Sequence, residues 1–123
     1  MKNSTLTKTF LAAMLGLLVA SPSYANFSCT GKSNIVGVST NGTVYVSIGF
    51  GIWEICNINS ATGSLTPDVC KSLYAAMLAA NKSNTSLRMY FNNATDSNNG
   101  PSCSAIGNWV GTPSFYDLET LAN

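Results

Sequence analysis

The side chains that could support catalysis are few in this chain. None of its 123 residues is a histidine, so the most frequent general base of enzymes and the usual partner of a serine or cysteine nucleophile are absent. Paired carboxylates remain, and Asp117 and Glu119 lie two residues apart in a predicted strand, where their side chains share one face. Because like charges on an exposed strand usually just face solvent, we predict a non-enzymatic protein with no catalytic residue.

The second group of reactive side chains consists of Cys29, Cys56, Cys70 and Cys103. They contain no closely spaced pair of the kind found in zinc knuckles, and no histidine can complete a zinc site, so we predict no metal and no cofactor. An even number of cysteines in a small exported domain indicates two disulfides. Four cysteines allow three pairings. We expect a local bridge between Cys56 and Cys70, which leaves Cys29 for Cys103.

Aromatic side chains near polar residues are the candidates for ligand binding. Trp109, which lies beside a glycine-rich segment, could stack on a sugar ring, and Tyr45, Tyr90 and Tyr116 could extend such a platform. The sequence leaves a role in the core equally open for Trp109. For Trp53 we predict packing, because a tryptophan in a small domain belongs more often to the core.

Residues 1–25 have the composition of a secretory signal peptide. A positively charged start and an apolar run over residues 10–20 precede residues 21–25, which end in the small-x-small pattern that a signal peptidase accepts. The apolar run is shorter than the roughly 20 residues that span a bilayer, and no later segment approaches that length. We therefore expect cleavage after this segment, one disulfide-stapled domain over residues 26–123, and a secreted or periplasmic location in a Gram-negative bacterium.

The charge balance disfavours partners that need a strong opposite charge. Without Lys2 and Lys8 of the signal segment, four basic side chains remain against five acidic ones. No cluster of lysine and arginine could hold a nucleic acid or an anionic membrane. The surface must instead be rich in asparagine, serine and threonine, which form hydrogen bonds without net charge and permit sugar binding.

The clearest local signal is a hairpin in residues 35–48, where Asn41 and Gly42 divide two β-prone runs. A two-residue turn at this point pairs Thr40 with Thr43. This register predicts two partly apolar faces, one with Ile35, Val44, Val46 and Ile48, and the other with Val36, Val38 and Tyr45. Such a hairpin suits a small barrel or a contact between subunits.

A single helix is predicted between two groups of strands. Thr66 supplies an N-cap, Pro67 suits the first helical position, and the apolar periodicity continues to about Ala80. Further β-prone segments lie at residues 52–58, 86–91, 106–110 and 115–121. This order predicts an α+β fold, either a small antiparallel β-sheet or an OB-like barrel, with one helix packed on it and two disulfides.

The order of these elements resembles two groups of bacterial proteins. A hairpin, a strand over residues 53–56, a helix with Cys70, a strand over residues 87–91 and a late Cys103 look like a class of small secreted Gram-negative proteins of unassigned function. More distantly, the layout is similar to the B subunits of A-B type toxins of the subtilase and pertussis-like branch. That resemblance implies an OB-like fold, five-membered rings and binding of cell-surface glycans, without assigning any sugar-contacting residue.

These observations favour a secreted, non-enzymatic binding module that recognises a cell-surface glycan or a protein, with a toxin-B-like glycan-binding subunit as its most specific form. We expect a homo-oligomer, because these β-prone segments leave sheet edges to cover. The alternative is a monomeric periplasmic or envelope-associated inhibitor or interaction protein whose partner is unknown.

Overall fold

The computed structural model describes residues 26–92, 102–112 and 114–122. The elements in chain order are β1 (Phe27–Lys32), β2 (Ile35–Val38), β3 (Thr43–Ser47), β4 (Ile52–Asn57), α1 (Pro67–Ser83), β5 (Ser86–Phe91), a 3-10 turn (Cys103–Ala105), β6 (Val110–Gly111) and β7 (Phe115–Leu121). The predicted signal peptide, residues 1–25, lies outside the described residues, as does most of the polar loop after β5.

The described strands form two sheets. The first is antiparallel, with β5 between β1 and β7, and the second has the order β2-β3-β4-β6, in which β6 runs parallel to β4 and the other neighbours are antiparallel. The sequence of β1 does not predict a strand, because glycine, serine and lysine weaken its β-propensity, and pairing with β5 stabilises it. Among the described residues, the α+β fold with one α-helix is confirmed, whereas closure into an OB-like barrel is not.

The hairpin of β2 and β3 has a register one residue away from the predicted one. Val36 lies opposite Val46, so Thr40 and Thr43 are not partners. Because side chains alternate between the two faces of a strand, this slip exchanges the faces of β2. Val36 therefore packs against the core with Val44 and Val46, whereas Val38 at the end of β2 is exposed. Tyr45, which was predicted to share a face with Val36, lies on the outer face instead.

The turn itself accounts for the slip. The N–H of Gly42 donates to the carbonyl of Ser39, and the N–H of Ser39 donates to the carbonyl of Thr43, each at 2.9 Å. These bonds enclose three loop residues rather than two. Gly42 has a φ of 90°, which glycine adopts without steric strain, and it ends the three-residue loop in the usual way for such hairpins.

Helix α1 begins as predicted and extends about one turn farther. The Thr66 side chain accepts a hydrogen bond from the N–H of Val69 at 3.4 Å, which confirms the N-cap. The helix ends at Ser83, where Asn84 adopts the left-handed conformation of a C-cap. It packs against strands of both sheets. Among the described residues, no helix has the length and apolar character needed to cross a membrane.

Both disulfides form with the expected pairing. Cys56–Cys70 joins β4 to the first turns of α1, and Cys29–Cys103 joins β1 to the 3-10 turn before β6. One bridge therefore holds the helix on the second sheet, and the other connects the first sheet to the segment that leads into β6. All four cysteines are oxidised, so none offers a thiolate to a metal or a substrate.

Aromatic rings fill the core between the two sheets. Trp53 of β4 is fully buried and meets Phe91 of β5 edge to face, with ring centroids 5.5 Å apart. Phe91 also contacts Phe115 of β7 at 6.0 Å. These rings pack the two sheets against each other, and the assignment of Trp53 to the core is confirmed.

Candidate ligand-binding site

The outer face of the second sheet brings together two of the four aromatic residues that the sequence offers as ligand-binding candidates. The rings of Tyr45 and Trp109 are in contact, with centroids 5.4 Å apart and planes inclined at 54°. Trp109 precedes β6 and Tyr45 belongs to β3, so the indole reaches across β4, which lies between those strands. On β2, the ring of Tyr45 covers Gly37, where any side chain would overlap it. The two rings form an aromatic platform across the sheet.

Hydrogen bonds hold the segment that carries Trp109 against the start of β4. The N–H of Trp109 donates to the carbonyl of Ile52 at 2.7 Å, and the N–H of Ile52 donates to the side-chain oxygen of Asn108 at 2.7 Å. The indole N–H of Trp53 donates to the carbonyl of Gly107 at 3.3 Å. The buried tryptophan of the core therefore supports the loop that presents the exposed one.

Trp109 combines high exposure with an unusual backbone conformation. Its side chain and backbone are 57% exposed, so it does not belong to the core. Its φ of 56° lies in the left-handed region, which costs a residue other than glycine about 1–2 kcal/mol. Burial does not offset this strain here. Backbone strain of this kind is concentrated at functional sites in proteins. At Trp109 the strained backbone holds an indole ring that is exposed to solvent.

A β-bulge places polar side chains beside the aromatic platform. Glu54 lies opposite Tyr45 and Asn57 lies opposite Thr43, although β4 has one more residue in this interval than β3. On a regular strand, Glu54 and Asn57 would face opposite sides because they are three residues apart. The bulge turns both to the outer face, where directly opposed side chains are neighbours.

A shallow groove of about 370 Å³ follows this row of side chains. Its polar lining consists of Thr43, Glu54, Asn57, Ser60, Thr62 and Thr112. The groove therefore begins at the residue opposite Tyr45 and continues toward the loop after β4. Tyr45 and Trp109 are not among the residues that line this groove, so the aromatic platform lies beside it.

Asn57 organises one wall of the groove. Its side-chain oxygen accepts hydrogen bonds from the N–H groups of Asn59 and Ser60 at 2.8 and 3.2 Å, and its amide donates to the carbonyl of Asn41 at 3.1 Å. The side chain therefore ties the loop after β4 to the hairpin turn. We assign it a positioning role, because its hydrogen-bonding capacity is largely occupied within the protein.

Glu54 supplies the charge of the groove. The residue is half-buried, and its carboxylate forms no hydrogen bond or ion pair with any other side chain or backbone group that the structure describes. An ionised carboxylate offers about four acceptor positions. The group is therefore available to hydroxyl or N–H groups of a ligand that rests on the neighbouring rings.

Tyr90 and Tyr116, the other two aromatic candidates, lie on the first sheet. The Tyr90 hydroxyl donates to the Glu119 carboxylate at 2.8 Å, and the Tyr90 ring centroid is 6.1 Å from that of Tyr116. Arg88 completes this network, 3.5 Å from the same carboxylate oxygen. Interactions with Tyr90, and to a smaller extent with Glu119, raise the pKa of Arg88, which keeps the guanidinium charged. Tyr90 thus joins a cross-strand network rather than the aromatic platform.

The carboxylates of Asp117 and Glu119 both lie in exposed positions, as predicted. Glu119 accepts hydrogen bonds from Tyr90 and Arg88 on the neighbouring strand. The Asp117 carboxylate accepts a hydrogen bond from the N–H of Leu118 at 2.8 Å. Both groups are therefore engaged in local contacts of the first sheet.

The sequence reasoning missed Glu54. Alternation along β4 predicts that Glu54 faces away from the core, but it does not show which residue of β3 lies opposite. That partner depends on the bulge and on the strand register. One signal was available in the sequence, because Glu54 is the sole charged residue between Lys32 and Asp68. Its isolation within a long stretch of apolar and neutral side chains distinguishes this position from the others on the strand.

We expect Gly51→Ala to displace the loop that carries Trp109. An added Cβ would overlap the carbonyl oxygen of Gly107, so one of the two segments must move. The free energy of unfolding should fall by about 1–3 kcal/mol, the usual cost of overpacking. Urea unfolding and the NMR signal of the Trp109 indole N–H measure both effects.

The control is Gly111→Ala, because an added Cβ at that glycine meets no atom within 4 Å. It should leave both the stability and the indole signal close to those of the natural protein. Full stability and an unchanged Trp109 signal in Gly51→Ala would contradict the close approach of the two segments.

The chemistry available on this face is stacking on two aromatic rings and hydrogen bonding to a carboxylate. Within residues 26–92, 102–112 and 114–122, no group of three or more acidic, histidine or cysteine side chains could hold a metal ion. No family model, no curated protein and no solved structure matches the chain.

Proposed function

We propose that the protein is a secreted, non-enzymatic binding module that recognises a cell-surface glycan on the outer face of its second sheet. The observation that carries this proposal is the presentation of Trp109. Its ring is exposed, its backbone is strained, and hydrogen bonds to Ile52 fix its loop beside Tyr45. Stability gains little from such an arrangement, whereas a ligand would gain a rigid apolar surface.

A saccharide suits the combination of groups on this face. The C–H groups of a pyranose ring can pack on the aromatic platform, which offers broad apolar surface with few side-chain torsions to restrain. Hydroxyl groups at the edge of the ring can then donate to the Glu54 carboxylate. A ligand without an apolar ring face would leave the indole unused, and a purely apolar ligand would desolvate the carboxylate at a cost.

The location that we propose is the periplasm or the exterior of a Gram-negative bacterium. The two disulfides are compatible with an oxidising compartment. The signal-like composition of residues 1–25 supports export. A cell-surface glycan would be accessible to a protein in this location.

A panel of immobilised oligosaccharides tests the proposal directly. The disulfide-bonded protein should bind a subset of the panel, and binding should perturb the indole signal of Trp109 in NMR spectra. Titration with the free oligosaccharide should abolish retention on the same spots. If no saccharide is bound, while a protein of the bacterial envelope is bound at the same face, the alternative of an envelope-associated interaction protein is supported instead.

We propose further that the protein assembles with copies of itself, as the toxin-like layout implies. Strand β2 forms an edge of the second sheet in the part of the chain that the structure describes, and its Ile35 and Val38 are exposed. An apolar edge strand of this kind pairs readily with another chain. Its backbone could extend the sheet into a neighbouring subunit.

Light scattering after size exclusion measures the native mass of the oxidised protein. A mass near five times that of the mature chain supports a glycan-binding ring. A clean monomer at micromolar concentration contradicts the ring and favours the monomeric alternative. Replacing Val38 with lysine at the exposed edge should lower the mass to that of a monomer if β2 forms the contact.

A further inference from the structure

The charge on Glu54 determines which class of saccharide the site can hold, an inference that rests on the proposed function. Glu54 lies opposite Tyr45, and Tyr45 contacts Trp109. A pyranose ring stacked on the indole therefore brings its substituents within reach of the carboxylate. Any charge on those substituents then interacts with the Glu54 carboxylate at short range.

No basic side chain of the described residues offsets this carboxylate. Lys71 and Arg88 each pair with an acidic side chain elsewhere, and Lys32 and Lys82 belong to β1 and α1. None of these four basic residues lines the groove, and Glu54 is the one charged residue among those that do. The field at the site is therefore negative, and partial burial limits its screening by water and salt.

We infer that the site selects uncharged or amine-bearing saccharides and excludes acidic ones, such as uronic and sialic acids. A hydroxyl or an ammonium group can donate to the Glu54 carboxylate, and an ammonium group also interacts favourably with the faces of the two rings. A sugar carboxylate offers no donor and repels Glu54. The acidic sugar thus loses a hydrogen bond and meets a like charge in the same position.

Two matched series of methyl glycosides test this selectivity. Glucosamine, N-acetylglucosamine and glucuronic acid share one ring stereochemistry and differ in charge, and galactosamine, N-acetylgalactosamine and galacturonic acid form the second series. NMR titration at pH 7 should give the amine-bearing or neutral member of at least one series an affinity about tenfold or more above that of the acid. Added salt should reduce the difference between the charged members.

The substitution Glu54→Gln identifies the source of the selectivity. It preserves the size of the side chain and removes its charge, so the amine and the acid should bind with affinities within about twofold of each other. Glu119→Gln is the matched control, because that carboxylate lies on the first sheet beside Arg88. It should retain the discrimination of the natural protein.

The outcomes separate this inference from the proposed function. Equal binding of the acidic and neutral sugars by the natural protein overturns the inference and leaves glycan binding intact. Discrimination that persists in Glu54→Gln also overturns it, because another group must then supply the charge. Failure of every glycoside and every oligosaccharide of the panel to bind overturns both.

Discussion

Replacing Trp109 with glycine should weaken saccharide binding by about 30-fold or more and leave the stability of the fold nearly unchanged. Truncation of a tryptophan at the centre of a binding site typically costs about 2 kcal/mol or more, which corresponds to that factor. Glycine adopts a φ of 56° without strain. Relief of this backbone strain, worth about 1–2 kcal/mol, offsets the loss of the ring contact with Tyr45, which is worth about 1 kcal/mol.

Isothermal titration with a saccharide from the panel and urea unfolding measure the two quantities. Tyr116→Ala is the control, because Tyr116 is also exposed and also contacts one tyrosine, at 6.1 Å, but lies on the first sheet. It should bind as the natural protein does. Undiminished binding by Trp109→Gly would remove the aromatic platform from the site. A large loss of stability would instead show that the indole has a structural role.

The second large effect is expected from removal of the Cys29–Cys103 disulfide. Its loop spans 74 residues, whereas that of Cys56–Cys70 spans 14. In the chain-entropy account, replacing each pair with alanine lowers the free energy of unfolding by about 4.5 and 3 kcal/mol, respectively. Small domains are usually stable by only about 5–15 kcal/mol, so the loss of the longer bridge removes a large fraction.

Urea unfolding of the two double-alanine variants gives this comparison, with each variant also serving as the control for the other. Both replace two largely buried or half-buried cysteines with alanine, so the losses of packing are similar in kind. The variant without Cys29–Cys103 should unfold at the lower urea concentration. The opposite order would contradict loop-closure entropy as the main source of stabilisation.

Local features of the chain were predictable where the physics is local. The N-cap at Thr66 follows from its hydroxyl and the proline after it, which act within one helical turn. Strand β5 follows from strict alternation, and Leu87, Met89 and Phe91 are buried as that pattern predicts. Helix α1 continues about one turn beyond the end that its apolar periodicity predicts, because Asn84 forms a left-handed cap that composition does not reveal.

The hairpin shows where local reasoning stops. Its existence follows from two β-prone runs divided by Asn41 and Gly42, but its register depends on which carbonyl accepts the N–H of Gly42. That acceptor is Ser39, and the loop gains one residue. A one-residue slip reverses every side chain of a strand, so this small difference decides which residues face the core.

The sequence by itself determined the α+β class, the helix α1 with its N-cap, and the burial of Trp53 in the core. Propensity and periodicity, which predict these features, act between near neighbours in the chain. The disulfide pairing that it favoured was one of three it allowed. Tertiary structure alone decided the candidate site. Trp109 meets Tyr45 across β4, and a bulge sets Glu54 opposite that tyrosine. Such contacts depend on strand order and register, which join residues far apart in the chain.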